Sequence, residues 1–208
     1  MRILAAVPLL LLAALPASAQ SAAARATTED GRKVLLYPDG RWKYEPAPAI
    51  AGRGRAHARA TGATERIDLL RGGMTLFIDP GKWRQTPSED PTKLSFRHAT
   101  GEAYGMVVAE RLAIPLSRLK EIAVSNARDA APDVKVTFEE PRRVNDVDVL
   151  AMQMEGTIQG IPFTYYGYYF SGPQGSVQLL TYTGSNLFAE YKPEFEDFLN
   201  GLTPPPPR

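Results

Sequence analysis

The 208-residue chain contains no cysteine and only two histidines. The absence of cysteine excludes disulfide bridges, thiolate nucleophiles and zinc–thiolate sites. Stability must therefore come from a hydrophobic core, and the stretch 67–203 is long enough to bury one without covalent cross-links. The chain also lacks an apolar run of about 20 residues, which is the length that a membrane-spanning helix needs.

A shorter apolar run, Ile3 to Leu15, lies at the amino terminus between Arg2 and an Ala-Ser-Ala site that ends at Ala19. Positive charge, an apolar run and then small residues are typical of a secretory signal peptide. We therefore predict that residues 1–19 are a signal peptide, with cleavage after Ala19 and a periplasmic or secreted location. No cysteine follows the site, which excludes a lipid-anchored lipoprotein. We expect no transmembrane segment after cleavage.

Basic and acidic side chains are balanced in number but not in position. Residues 20–66 hold nine Lys or Arg against five Asp or Glu, whereas residues 67–208 hold 14 against 18. A nucleic-acid-binding domain carries its basic excess on the folded part. Here the excess precedes the main domain, so we expect no nucleic-acid partner. Arg53, Arg55 and Arg59 are interpreted as solvated charge in a tether, with contact to anionic envelope polymers or lipid headgroups as the alternative.

Residues 20–45 are predicted to form a small β-hairpin segment. Val34 to Tyr37 has the length of a strand, Pro38-Asp39-Gly40 is a turn, and Trp42 begins an alternating return strand. This pattern resembles the Asp-Gly-rich hairpin with a Trp that recurs near the amino termini of exported bacterial proteins. A lone hairpin is marginal in water, so Trp42 needs a partner surface, either on the main domain or on another molecule.

Residues 46–66, rich in Pro, Ala, Gly and Arg, are predicted to be a flexible linker, and residues 204–208 a Pro-rich tail. Between them, residues 67–203 alternate strand and helix patterns. The fold class we predict is α+β: an antiparallel-rich sheet with two main helices packed on it, preceded by the small hairpin on its linker. Predicted strands occupy 73–78, 92–98, 103–111, 134–138, 147–158, 161–171 and 176–183, and predicted helices occupy 115–130 and 186–200.

The order of these elements resembles the grouping of the photosystem II subunit PsbP, the Ran-release factor and the bacterial lipoprotein DcrB. The residues that carry the resemblance are Gly73 through Trp83, Gly105 through Arg111, the helix after Pro115, and Phe195 through Leu202. The missing lipobox cysteine departs from DcrB. The resemblance implies a non-catalytic accessory or binding role and no particular ligand.

The aromatic run Phe163 to Phe170 is the most informative local feature. Because side chains alternate along a strand, Tyr166 and Tyr168 share one face and Tyr165 and Tyr169 share the other. Two interpretations stay open, a central strand covered on both faces or a half-exposed aromatic face that binds a partner. On the second interpretation Tyr166, Tyr168 and Trp42 are the candidate binding residues.

No motif predicts a catalytic residue. His98 lies three residues after Ser95 on a predicted strand, so the two side chains point to opposite faces, and His98 is interpreted as an ordinary turn or surface histidine. Glu110 and Glu155 are the only acids in mid-strand positions, and pairing them across a cleft is a hypothesis without further support.

No motif predicts a metal ligand or a cofactor either. The Asp146-Val147-Asp148 segment lacks the glycine and the additional acids of a calcium loop, so we interpret it as a polar hairpin turn.

The function we predict is that of a non-enzymatic exported binding or accessory protein. Its partner is an unidentified protein or envelope component, contacted through the aromatic sheet face. The alternatives are an envelope hydrolase that uses an acid such as Glu110 or Glu155, and a purely structural accessory subunit whose aromatic strand is wholly buried.

Overall fold

The computed structural model describes residues 24–27, 33–44, 56–90 and 92–204. The chain divides into two compact units, residues 1–45 and residues 46–208. The predicted signal peptide, residues 1–19, and residues 205–208 of the predicted tail lie outside the described residues. We call the two units the small unit and the large unit.

The small unit is a three-stranded antiparallel sheet of β1 (Ala24–Thr27), β2 (Lys33–Leu36) and β3 (Trp42–Tyr44), with β2 in the centre. The turn between β2 and β3 uses Gly40 at a φ of 79°, a conformation that glycine adopts without strain. The predicted hairpin is therefore confirmed. Strand β1 was not predicted, because its sequence, Ala-Arg-Ala-Thr, lacks an apolar pattern of its own.

The large unit contains two helices and two sheets. The eight-stranded sheet has the order β4-β10-β11-β12-β13-β9-β8-β7 and is antiparallel except for the β4–β10 pair, and a three-stranded sheet has the order β14-β6-β5. This arrangement confirms the predicted α+β class. The elements are β4 (Ala56–His57), β5 (Glu65–Leu69), β6 (Met74–Ile78), β7 (Trp83–Thr86), β8 (Lys93–His98), β9 (Tyr104–Glu110), α1 (Leu116–Ala130), β10 (Lys135–Val144), β11 (Val147–Ile158), β12 (Ile161–Gly172), β13 (Gly175–Gly184), α2 (Phe188–Leu199) and β14 (Leu202–Thr203).

Two-residue turns fix the register of the central strands. Asn145 and Asp146 have φ values of 46° and 66°, and Gln159 and Gly160 have 50° and 83°. Positive φ at both turn residues gives the turn type whose twist matches that of the flanking strands. The first turn joins β10 to β11 and the second joins β11 to β12, and together with β13 these strands form one continuous antiparallel meander.

The large sheet is covered on both faces. On one face, α1 packs through Leu119 and Ala123 against a cluster that includes Met152 and Tyr169. On the other face, α2 and the β14-β6-β5 sheet enclose a larger cluster. Its largest fully buried side chains are Trp83, Phe96, Tyr166, Tyr168, Phe195 and Phe198.

The first strands of the large unit begin inside the predicted linker, 46–66. Ala56 pairs with Arg143 in a parallel bridge, Ala63 is buried, and β5 begins at Glu65. Strand β5 was missed because four of its five residues are exposed or half-buried, which leaves no alternating apolar signal. Its backbone pairing with β6 stabilises it instead.

Candidate binding surfaces

Tyr166 and Tyr168 lie in the core of the large unit. Their side chains are 1% and 0% exposed, under α2, where Phe188 packs edge-to-face on the ring of Tyr166. The predicted exposed aromatic face is therefore corrected at these two residues. Strand β12 is covered on both faces, with Tyr169 buried under α1, which is the first of the two interpretations.

The tyrosine hydroxyls belong to a polar network around Arg142 of β10. The Arg142 side chain is only 10% exposed, and its Nε donates to Glu140 Oε1 at 2.5 Å. Its Nη1 donates to the Tyr168 hydroxyl at 3.1 Å and lies 3.4 Å from Glu196 Oε1 on α2. Sequence reasoning missed this arginine because its partners come from strands and a helix that are distant along the chain.

Burial sets the protonation of the network. Desolvation raises the pKa of both the Tyr166 and the Tyr168 phenol, so the hydroxyls stay protonated at neutral pH. Desolvation acts to lower the pKa of Arg142, but hydrogen bonds to Tyr168 and Glu140 outweigh it and the pKa is raised. The network thus holds one permanent positive charge against two carboxylates. Its contacts hold β10, β12 and α2 together, which is a structural role.

Trp42 lies on β3 of the small unit, and its ring is exposed. Its side chain is 56% exposed, and the directly opposed Leu36 on β2 is 37% exposed. Because opposed residues of an antiparallel pair share a face, these two side chains lie on one side of the sheet. The register also places Ala24, Ala26 and Val34 on this side, but Val34 is only 5% exposed. The accessible part of this side is therefore formed by Trp42, Leu36 and Ala24, and we call these three residues the Trp42 face.

Glu110 and Glu155 do not form a catalytic pair. Glu110 shares its face of β9 with Met106, which packs in the α1 cluster, whereas Glu155 shares its face of β11 with Ala151 of the α2 cluster. The two carboxylates therefore lie on opposite faces of the sheet. Glu155 instead accepts hydrogen bonds from Gln153 Nε2 at 2.8 Å and Thr137 Oγ1 at 3.1 Å.

His98 is buried rather than at the surface, which corrects the sequence interpretation. Its ring packs edge-to-face against Trp83 at a centroid distance of 5.0 Å, and its side chain is 8% exposed. Nδ1 lies 2.9 Å from Thr100 Oγ1, which in turn lies 2.5 Å from the Tyr191 hydroxyl. Desolvation lowers the pKa of His98. Among the residues described, the hydrogen-bond contacts of the His98 ring are with Thr100 and not with Ser95.

A small pocket lies beside Trp83, which packs against His98. The ammonium of Lys82 lies 2.8 Å from Glu194 Oε2 and 3.8 Å from Asp197 Oδ2, and burial raises the pKa of Asp197. Within the described residues the indole Nε1 of Trp83 has no hydrogen-bond partner. The pocket is lined by Ala60, Ala63, Asp79, Lys82, Trp83, Asp197 and Phe198. Sequence reasoning did not find it because Lys82 and α2 are far apart in the chain.

Asp146 is part of the β10–β11 turn and Asp148 is the second residue of β11, so the predicted polar hairpin turn is present. Arg143 lies 3.1 Å from Asp148 Oδ1 and 3.4 Å from Asp146 Oδ1, so each carboxylate already has a cationic neighbour. Among the residues that the structure describes, no three His, Asp or Glu side chains are placed to hold a metal ion. Nor does any helix among them have the length and apolarity to cross a membrane.

Comparison with known proteins identifies the fold. No family model matches the chain, and neither does any curated protein. The solution structure of cyanobacterial PsbP from Synechocystis is similar to this one, with a TM-score of 0.51, 10% identity, and coverage of 72% of this chain and 97% of that chain. At that identity the likeness shows the fold alone, and it confirms the PsbP-like α+β prediction.

Two further solved structures align more weakly. A Pseudomonas aeruginosa protein of unknown function has a TM-score of 0.44 and 12% identity, with 65% of this chain and 100% of that chain covered. LpqN of Mycobacterium tuberculosis, whose structure is described as involved in cell envelope biogenesis, has a TM-score of 0.37 and 9% identity, with coverages of 60% and 79%. At these TM-scores, neither structure supports the fold assignment.

Proposed function

We propose that the protein is an exported, non-enzymatic binding protein whose partner docks on the Trp42 face of the small unit. Export is supported by the signal-peptide pattern that ends at Ala19. The observation that carries the binding role is the exposure of Trp42, 56%, beside Leu36, 37%, on one side of the sheet.

A partner that docks on the Trp42 face would bury a large aromatic ring. A tryptophan side chain buries about 150–250 Å² on contact, and tryptophans dominate the binding energy of many interfaces. A partner that covers Trp42 and Leu36 also removes apolar surface of the sheet from water, which is favourable. The partner we propose is a protein or another envelope component that presents an apolar surface.

The alternatives differ in what they require of the large unit. A hydrolase that pairs Glu110 with Glu155 needs both acids on one side of the sheet, and they lie on opposite sides. A purely structural accessory subunit requires a wholly buried aromatic strand, and the burial of Tyr166 and Tyr168 favours that candidate. It differs from our proposal in leaving the Trp42 face without a role.

Capture from an envelope extract tests the proposal. The immobilised chain from residue 20 onward should retain a partner, and Trp42→Ala should lose it, with Leu36→Ser giving a smaller loss. Lys43→Ala is the matched control, because Lys43 neighbours Trp42 and points to the other side of the sheet. A Trp42→Ala chain that captures the same partner as the unaltered chain would refute the proposal.

A further inference from the structure

Leu70 and Leu112 are the two most exposed large apolar side chains of the part of the chain that the structure describes. They are 87% and 71% exposed. Leu70 lies in the turn between β5 and β6, and Leu112 lies two residues after the end of β9. Neither contributes to a core cluster. Both side chains expose aliphatic surface to water. When such surface is concentrated in one patch, it is typical of an interaction site.

The two leucine-bearing loops meet at the start of β13. A Cβ atom on Gly175 would lie 2.6 Å from the carbonyl oxygen of Arg71 and 2.1 Å from that of Glu110, so both backbones pass directly against this glycine. Ser176 Oγ donates to the carbonyl oxygen of Leu112 at 2.8 Å. Ser176 Oγ in turn accepts a hydrogen bond from the backbone N–H of Ile114 at 2.8 Å. A fixed backbone therefore displays both leucines at one end of the large unit.

Each leucine has an arginine directly beside it. Arg71 follows Leu70 and Arg111 precedes Leu112, and both arginines are exposed. Neither has an ion-pair partner among the described residues, whereas Arg66 in the preceding strand is paired with Asp68 at 2.9 Å. Arg71 and Arg111 thus give this end two positive charges against the single carboxylate of Glu110, although residues 67–208 as a whole hold 14 basic against 18 acidic side chains.

We propose that this end, which we call the Leu70–Leu112 end, binds an anionic lipid surface. Aliphatic side chains on protruding loops can enter the boundary between lipid headgroups and acyl chains without a shaped pocket. Adjacent guanidinium groups then donate hydrogen bonds to the lipid phosphates. Exposed leucines combined with arginines that lack an ion-pair partner favour this occupant over a protein, whose binding requires a complementary shape. The inference is independent of the proposed role of Trp42.

Vesicle sedimentation tests the proposal with the chain from residue 20 onward, which omits the apolar leader that would itself bind lipid. Vesicles of phosphatidylglycerol mixed with phosphatidylethanolamine should bind the chain, and phosphatidylcholine vesicles should not. The double substitution Leu70→Ser and Leu112→Ser should weaken binding at least tenfold. Replacing Arg71 and Arg111 by Gln should weaken it about 25-fold at low salt, since each arginine near an anionic surface contributes about fivefold.

The control substitutions lie on β12 and α1, at the ends of these elements that are far from the two leucines. Ile161 is 57% exposed and begins β12, whose far end reaches Gly172 beside the Leu70–Leu112 end. Ile161→Ser and Arg128→Gln should leave vesicle binding unchanged. The two leucines are exposed, so their removal should not alter the melting temperature. Leu70→Gln with Leu112→Gln repeats the test if the serine pair is less stable.

Several outcomes would overturn the inference. They are an unaltered chain that does not bind phosphatidylglycerol vesicles, leucine variants that bind as well as the unaltered chain, and Ile161→Ser causing an equal loss. A dimer in analytical ultracentrifugation that the leucine substitutions dissociate, without any vesicle binding, would assign the surface to a second copy of the chain instead. Loss of vesicle binding on Trp42→Ala alone would move lipid binding to the small unit.

Discussion

Arg142 of β10 donates a hydrogen bond from Nη1 to the Tyr168 hydroxyl of β12 at 3.1 Å, and that hydroxyl donates to Asn200 Oδ1 at 3.0 Å. A residue that the sequence nominated for binding thus connects a strand to the end of α2. Both tyrosines that the sequence offered for recognition are held inside the large unit. Among the aromatic residues nominated for binding, this leaves Trp42 of the small unit as the exposed one.

Removing the Tyr168 hydroxyl should destabilise the large unit. Tyr168→Phe leaves the buried Asn200 oxygen without this donor and Arg142 without this acceptor, so we expect a loss of about 1–3 kcal/mol in the free energy of unfolding. Tyr166→Phe is the matched control, since the Tyr166 hydroxyl makes only a long contact of 3.4 Å to Glu196. Urea unfolding measures both. Equal losses for the two variants would show that the hydroxyl of Tyr168 has no special role.

Arg142 and its neighbour Arg143 should differ sharply on truncation. Arg142→Ala deletes a guanidinium that is 10% exposed and has three polar partners, so we expect a loss of at least about 2 kcal/mol. Arg143 is 48% exposed and pairs with Asp148 at the surface, so Arg143→Ala should cost less than about 1 kcal/mol. Thermal unfolding of the two variants compares them. A larger cost at Arg143 would contradict the structural role of the Arg142 network.

Gly167 should not tolerate a methyl group. A Cβ there would lie 2.6 Å from Leu180 Cδ2 and 2.7 Å from the carbonyl oxygen of Leu179 on β13. Overpacking against backbone leads us to expect that Gly167→Ala costs about 1–3 kcal/mol. Gly81→Ala is the comparison, because its Cβ would meet only the Asp79 carboxylate oxygen at 3.2 Å. Denaturant midpoints that fall equally for both would show that the strands separate easily at Gly167.

Stability should fall as the solution becomes mildly acidic, because of His98. Burial lowers its pKa below the ordinary 6.5, an effect that exceeds the opposing influence of Glu194. The unfolded chain therefore binds more protons than the folded chain below that pH, and the contribution of neutral His98 is lost as pH falls through 6.5 toward the lowered folded pKa. Urea midpoints between about pH 8 and pH 5 measure the slope in the range where histidine titrates.

The two histidines provide the control for this slope. His98→Gln should flatten the pH dependence in that window, whereas His57→Gln should retain it. Persistence of the full slope in the His98→Gln chain would assign it to other groups.

The fold was largely predictable because local signals coincided with tertiary structure. Pro115 and the spacing of Leu119 and Ala123 predicted α1, and the residues at 159–160 predicted a tight turn. Strand alternation also placed Tyr166 and Tyr169 on opposite faces correctly. Short strands with exposed side chains, such as β5, gave no periodic signal and were missed.

The sites were less predictable because they depend on contacts between distant residues. Alternation shows that Tyr168 and Tyr169 face opposite ways, but it does not show which element covers each face. The Arg142 network joins residues 26 and 54 positions apart, and the Lys82–Glu194 pair joins residues 112 apart. Composition and spacing do not show which distant residues come into contact. The burial of these positions could therefore be seen only in the structure.

The most direct test of the binding role uses the two tryptophans of the chain, Trp42 and Trp83. Labelling with 5-fluorotryptophan gives two ¹⁹F resonances, which Trp42→Phe assigns. Trp42 is 56% exposed and Trp83 is 1% exposed, so only the first resonance should shift between H₂O and D₂O. On addition of envelope extract, the account predicts that the Trp42 resonance broadens or shifts while that of Trp83 stays in place. A Trp42 resonance that is unchanged at saturating extract would contradict the proposed binding face.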